Sequence, residues 1–373
     1  MLNVEPAAGA VRLAKSPSAL LPFSTSTPPD DPLPEYCSLK GRLLTAMTAD
    51  LSEDVFNALA LEVHAFQRRW NKPYAAFAAT RPAPETWRDI PAVPQSAFKR
   101  AALTCIPRKD APVTFRTSGT TGESRGEHHF FDTALYDAAI LRGWRELQLP
   151  RLRQVILAPH PGEAPHSSLS HMFATLAAES DAPQAWCCDP KGGLDTTRAL
   201  AELRRAHKSG PVALLGTALA FLHLFDVVAS GECNLQGSIA LETGGYKGSG
   251  RDVPKAELHA RFTTHLGIPA EDIINEYGMT ELSSQLYARG PGAAHRGAPW
   301  IRALVINPET GVEVAVGEAG VLRLFDLANL NSCLAIETQD LAIRRENGFE
   351  LLGRDPQALP RGCSRAADEV MSR

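Results

Sequence analysis

The sequence predicts an α/β protein with a smaller antiparallel β subdomain on its C-terminal side. Short apolar runs, "QVILAP", "VALLGT" and "IALETGG", each lead into a Gly, Pro or Thr turn and read as strands. Helical segments separate them, so the strands form a mostly parallel sheet. After about Pro299 the pattern changes: "IRALVINPETGVEVAVGEAGVLRLFDL" and "LAIRRENGFELLGR" read as β-hairpins joined by "PETG" and "ENG" turns.

In chain order, residues 1–35 are rich in Pro, Ser and Thr ("SPSALLPFSTSTPPDDPLPEY") and hold no apolar period. They read as a disordered or surface-wrapping tail. From Leu43 to Ala78 apolar residues recur at helical spacing. "WRDIPAVPQSAFKR" follows as an extended, Pro-punctuated segment. "LDTTRALAELRRAHKSG" and "PKAELHARFTTHLG" are the helices of the α/β region, the second with Pro at its first turn and Gly at its end. "PVALLGTALAFLHLFDVVAS" is apolar and nearly long enough to span a bilayer. His223, Asp226 and Gly216 interrupt it, and it reads as a buried strand, a tight turn and a core helix. No integral membrane segment is expected.

The 373 residues carry a net charge of −4, with no basic run interleaved with aromatics, so a nucleic-acid surface is not expected. The seven cysteines are irregularly spaced, and no pair of C-x-x-C units appears. Neither a disulfide framework nor a zinc site is implied, and the reducing cytoplasm is the expected compartment. No secretory signal is recognisable at the N-terminus.

The stretch "TFRTSGTTGESRGEHHF" concentrates small hydroxyl and glycine residues between Arg116 and Arg125. It matches neither G-x-x-x-x-G-K-[ST] nor G-x-G-x-x-G. Backbone amides freed by Gly119 and Gly122, hydroxyls of Thr117, Ser118, Thr120 and Thr121, and the Arg125 guanidinium make a phosphate-binding nest. On composition alone a mobile surface turn fits equally well. Further along, "INEYGMTELSS" reads as a strand ending in Tyr277, a turn at Gly278 and an exposed Thr280–Glu281 pair. "SIALETGGYKG" is a strand opening into Gly244 and Gly245. "IETQDLAI" places Asp340 at a strand turn, and "LLGRD" places Arg354 just after a strand.

Four of these motifs, in chain order from Thr117 to Arg354, resemble those of the adenylate-forming superfamily of acyl-CoA synthetases and luciferases. "TSGTTGESRG" is similar to its phosphate loop, "YGMTE" to its second signature, "TQD" to its ribose-binding acid and "GR" to the arginine near the hinge. "DIPAVPQSAFK", "PHSSLSHM", "TGGYKG" and "LLGRDPQALPRGCS" resemble, more narrowly, the LuxE-type acyl-protein synthetases, with phenylacetate–CoA ligases as the next relatives. The match covers roughly residues 36 to 366. It implies a core over 36–355, β-rich from about 299, and a short tail over 356–373.

The resemblance implies ATP-dependent activation of a carboxylic acid, in LuxE-type proteins a fatty acid, as acyl-AMP. The Ser/Thr/Gly loop then holds the β- and γ-phosphates. Glu281 holds Mg²⁺, a hard cation that takes carboxylate oxygen. Thr280 reaches the α-phosphate, Asp340 the ribose hydroxyls and Arg354 the ribose or phosphate. Gly244, Gly245 and Tyr246 line the adenine. Lys247 either meets the carboxylate or phosphate or is a surface cation. His166 and Ser167 border the acyl site or serve the fold alone.

Two departures matter. Ser124-Arg125-Gly126 stands where the superfamily usually has Pro-Lys-Gly, which replaces a point charge by a fork. Lys255 is also the last lysine, so the C-terminal domain with its adenylation lysine is expected to be missing. The acyl acceptor implied instead is Cys363 in "PRGCSR". Arg361 and Arg365 favour its thiolate, and in LuxE-type proteins a cysteine near the C-terminus receives the acyl group. The implied partner is an acyl reductase or acyl carrier. The rival readings are an acyl- or aryl-CoA ligase and a degenerate adenylate-fold binding protein.

Overall fold

The computed structural model describes residues 31–117, 125–180, 182–189, 193–244, 250–251 and 253–354. The Pro-rich tail and the segment bearing Cys363 lie outside them.

Three helices come first: α1 (Leu33–Ala46), α2 (Glu53–Trp70) and α3 (Lys72–Ala78). The helical stretch read from Leu43 to Ala78 is thus divided. Ser52 accepts from the Val55 amide and starts α2. Asn71 accepts from the Tyr74 amide and starts α3. Helix α1 begins at Leu33, ahead of position 36, because Pro32 and Pro34 suit a helical first turn. The Pro-punctuated segment contains the short strand β1 (Val93–Pro94); β2 (Val113–Arg116) follows it and pairs antiparallel with β3 (Glu127–Phe130).

The α/β region then runs α4 (Ala134–Glu146), β4 (Arg153–Leu157), α5 (Ser168–Glu179), β5 (Gln184–Trp186), α6 (Thr196–Ser209), β6 (Val212–Thr217), α7 (Ala218–Phe225), β7 (Ile239–Thr243), α8 (Lys255–Leu266), β8 (Ile273–Tyr277), β9 (Leu286–Arg289) and β10 (Arg296–Gly297). The longest apolar run is therefore strand β6 followed directly by α7. Among the described residues no helix is long and apolar enough to cross a membrane.

Strands β4 to β10 form one sheet in the order β10-β9-β8-β7-β6-β4-β5, parallel from β5 to β8. One face packs on α6, α7 and α8 through Leu203, Phe221 and Phe262. The other packs on α4 and α5 through Ile140 and Phe173, as strands buried on both faces require. The last strands, β11 (Ile301–Ile306), β12 (Ala319–Asp326), β13 (Ala335–Arg345) and β14 (Gly348–Arg354), make the expected antiparallel sheet. Strand β1 joins it by pairing parallel with β13. The "ENG" turn joins β13 to β14. The "PETG" turn returns the chain along β11, with Ile306 opposite Glu313, before β12 begins.

Candidate active site

The carboxyl ends of β7 and β8 open onto the edge of the parallel sheet, the usual place for ligands in open α/β folds. Strand β7 ends at Thr243 and passes into Gly244, whose φ is +72° and where, among the described residues, no atom lies within 4 Å of a Cβ position. Gly245, Tyr246 and Lys247 lie outside the described residues. Strand β8 ends at Tyr277, and the chain turns through Gly278 to Thr280 and Glu281.

The β2–β3 hairpin approaches this turn. The Thr117 amide donates to the Gly126 carbonyl at 2.9 Å, and the Gly126 amide donates to Thr117 Oγ1 at 2.9 Å. These bonds close the base of the Ser/Thr/Gly loop. Ser118, Gly119, Thr120, Thr121 and Gly122 lie outside the described residues, and Arg125 at the loop's far end is exposed. His128 on β3 donates through Nδ1 to the Thr280 carbonyl at 2.8 Å. Its burial pushes the imidazole down to about 3, so the ring is neutral and the bond needs no charge. His128 thereby ties the β2–β3 hairpin to the β8 turn.

The antiparallel sheet supplies the rest. Across β12 and β13, Arg323 pairs with Glu337 and Val321 with Leu341. Leu322 therefore faces three residues, Thr338, Gln339 and Asp340. "TQD" is a β-bulge within a continuous strand rather than a strand turn. A bulge re-aims a side chain without ending the pairing. Thr338 Oγ1 donates to the Leu322 carbonyl at 2.8 Å and accepts the Asp340 amide at 3.1 Å, which fixes the bulge. Asp340 then accepts from the Tyr277 hydroxyl at 2.7 Å and from Arg354 Nε at 3.2 Å. Burial, and next the Asp340 charge, raise the Tyr277 phenol well above its ordinary range, so it stays a donor. Arg354 is the last residue of β14, opposite Asp340 in register.

The chain of bonds continues. Arg354 Nη2 donates to Gln95 Oε1 at 3.3 Å, and Gln95 Nε2 donates to Glu281 Oε1 at 3.2 Å. Tyr277, Asp340, Arg354, Gln95 and Glu281 are thus one polar network drawn from both sheets. Glu281 is buried, 4% exposed, not the surface residue its sequence context implied. The Asn329 amide holds its carbonyl at 2.8 Å. Gln95 was missed by the sequence reading. It lies in "IPAVPQSAFK", where a neutral amide in a Pro-punctuated stretch gives no periodic or charge signal.

His166 and Ser167 have local partners. The His166 Nδ1 bonds the Thr114 carbonyl at 2.8 Å, and the His166 carbonyl accepts the Arg116 amide at 2.9 Å. Ser167 caps α5 by accepting the Ser170 amide at 3.1 Å. Together they seat the segment after β4 against β2, at the root of the β2–β3 hairpin.

No protein-family profile matches the chain, and no curated protein matches it in sequence. Solved structures do match its fold. A 2-hydroxyisobutyryl-CoA ligase in the postadenylation state, in complex with 2-HIB-AMP, aligns with a TM-score of 0.63 at 15% identity. The alignment covers 81% of this chain and 67% of that one. An open conformation of the same ligase with 2-HIB-AMP and CoA gives 0.60 at 14% identity, over 89% and 80%. ATP-bound MatB from Rhodopseudomonas palustris gives 0.50 at 19% identity, over 69% of this chain and 50% of MatB. The chain therefore spans about half the length of MatB. Its class is a layered α/β fold with a small antiparallel subdomain. It shares that fold with the 2-hydroxyisobutyryl-CoA ligase and with MatB.

Proposed function

We propose that the protein activates a carboxylic acid with ATP, forming acyl-AMP and pyrophosphate, and passes the acyl group to a thiol. The observation that carries this is the single network joining Tyr277, Asp340, Arg354, Gln95 and Glu281. Three separate motifs, whose order along the sequence implied one nucleotide site, meet through it.

In this reading the substrate carboxylate attacks the α-phosphorus. The new P–O bond forms as the bond to pyrophosphate breaks, and no proton need move. The loop amides and hydroxyls from Ser118 to Gly122, with Arg125, hold the β- and γ-phosphates, and Thr280 meets the α-phosphate. Asp340 accepts the ribose hydroxyls beside Arg354. Gly244, Gly245 and Tyr246 flank the adenine, and Lys247 meets the carboxylate or a phosphate. Glu281 is the residue to hold Mg²⁺. A single buried carboxylate suits an ion that takes one or two protein oxygens and completes its shell with phosphates and water. Bound there, the ion would neutralise phosphate charge. Among the described residues no group of three or more His, Cys, Asp or Glu forms a separate cage.

For the second step the thiolate attacks the acyl carbonyl and AMP leaves, giving a thioester. Cys363 is the acceptor the LuxE resemblance implies, for delivery to a partner such as an acyl reductase in the cytoplasm. The chemistry of the other thiols supports it. Burial raises Cys105, Cys187, Cys188, Cys233 and Cys333 and keeps them protonated. Cys37 is the exposed thiol among the described residues and serves as the control.

The test follows radiolabelled pyrophosphate into ATP across a panel of acids, then ATP-dependent uptake of labelled acid into protein. Glu281→Gln should cut exchange by about a hundred-fold or more, as loss of an interaction with developing phosphate charge does. Cys363→Ser should keep exchange and lose the hydroxylamine-labile label, while Cys37→Ser keeps both. Coenzyme A-dependent release of a soluble thioester, with label unchanged in Cys363→Ser, would replace the protein acceptor by coenzyme A.

A further inference from the structure

Strand β8 carries a buried carboxyl that the nucleotide network does not use. Glu276 precedes Tyr277 and is 5% exposed. Thr243 lies beside it in register on β7, and Tyr287 on β9. The three side chains therefore stand in a row on one face of the sheet, the face covered by α4 and α5. This row is the last one before the strands open into the Gly244 and Gly278 turns. The Thr243 hydroxyl donates to Glu276 Oε2. The other oxygen, Oε1, lies so close to Gly278 that a Cβ built there would fall 2.2 Å away. Gly278 thus leaves Oε1 facing the turn that carries Thr280. The Tyr287 hydroxyl, on a residue 7% exposed, has no hydrogen-bond partner among the described residues.

Such a row is costly in a purely structural role. A buried carboxyl and a buried phenol normally find partners, because leaving one unpaired costs about 1–3 kcal/mol. A valine or leucine at 276 would continue the apolar face set by Ile274 and Leu241. The row makes sense if something else supplies the missing bonds.

We propose that Glu276, with Thr243 and Tyr287, recognises a hydrogen-bond-donating group, a hydroxyl or an ammonium, on the acyl part of the acid a few bonds from its carboxyl. The proposal rests on the acid-activating reading above and narrows its substrate class. A plain alkyl chain leaves the Tyr287 hydroxyl without a partner and gives Glu276 nothing beyond its Thr243 bond, and a site built for hydrogen bonds rejects the analogue that lacks them. A fatty acid, as the LuxE resemblance implies, fits the row when it is hydroxylated or aminated near its head. Burial raises the Glu276 carboxyl to about 7 despite the Thr243 bond, so near neutrality it can meet either donor.

The experiment compares pyrophosphate exchange with butanoate, 3-hydroxybutanoate and 3-aminobutanoate, and with the same three forms of dodecanoate. The wild-type protein should favour a hydroxy or amino acid over its plain analogue by about ten- to hundred-fold in kcat/KM, the range for a hydrogen bond to a charged group. Which of the two wins separates a hydroxyl from an ammonium ligand. Glu276→Ala should lose that preference and accept the plain acids as well. Tyr287→Phe, which removes one oxygen and leaves the packing, should lower kcat/KM several-fold for donor-bearing acids alone. Exchange with unchanged selectivity in both variants overturns this proposal and leaves acid activation standing. No exchange with any acid overturns both.

Discussion

Gln95 is neutral, yet it stands between two charged groups and its orientation is fixed by them. Its carbonyl oxygen faces the Arg354 guanidinium, and its amide nitrogen faces the Glu281 carboxylate. The reverse orientation would set donor against donor and acceptor against acceptor. Gln95 is therefore a positioning residue: it sets the distance between an acid proposed for Mg²⁺ and an arginine proposed for nucleotide. Gln95→Ala removes both bonds and should lower kcat/KM for ATP in the exchange assay by about ten-fold. Gln95→Glu keeps the size but sets a second carboxylate beside Glu281, and should lower it further. The KM for the acid should move little in either variant. If the alanine variant matches the wild type in ATP kinetics, Gln95 is packing and not positioning.

Helix α8 shows an element whose ends are written locally. Pro254 precedes it and Gly267 ends it with φ +66°, the left-handed conformation of a helix C-cap. A Cβ at Gly267 would also lie 2.5 Å from Asn234 Oδ1. Gly267→Ala should cost about 1–2 kcal/mol and lower Tm by about 2 °C, read by thermal melting. An unchanged Tm would mean that the chain leaves the helix by another route. Elements of this kind were legible in the sequence. Helix α8 and strands β6 and β8 lie where local period and punctuation put them. The "TQD" bulge was not, because it exists only through the partners on either side: Leu322 faces three residues of β13, and Arg354 on β14 lies opposite Asp340. Glu281 was misjudged for the same reason. The residues that bury it come from other elements, Gln95 and Asn329 among them. Motif order marked Tyr277, Asp340 and Arg354. The row of Thr243, Glu276 and Tyr287 belongs to strand register, which no single stretch of chain contains.

Across the whole molecule, buried titratable groups set how stability follows pH. Burial lowers His128 to about 3 and His64 and His295 to about 4 from an ordinary 6.5, and His129 moves the same way. Between those values and 6.5 the unfolded chain holds protons that the folded protein refuses, so stability rises with pH. Two buried carboxyls act oppositely. Burial raises Glu276 to about 7 from 4.5 and Asp326 to about 6 from 3.8, and through those windows the folded protein holds the extra proton, so stability falls as pH rises. Between about pH 4.5 and 6 the imidazoles outnumber the carboxyls. The protein should therefore lose stability on acidification from pH 6.5 to 4.5, by up to about 1.4 kcal/mol per pH unit for each net proton taken up on unfolding. His128 allows the cause to be isolated, since it is buried at the junction between the loop hairpin and the β8 turn. His128→Asn keeps an N–H for the Thr280 carbonyl but cannot titrate. Chemical unfolding at a series of pH values should show its stability falling less steeply with acid than the wild type's, with the two curves closest near pH 7. Parallel curves would mean that His128 accepts a proton in the folded state, and that the hairpin is not held by a neutral imidazole.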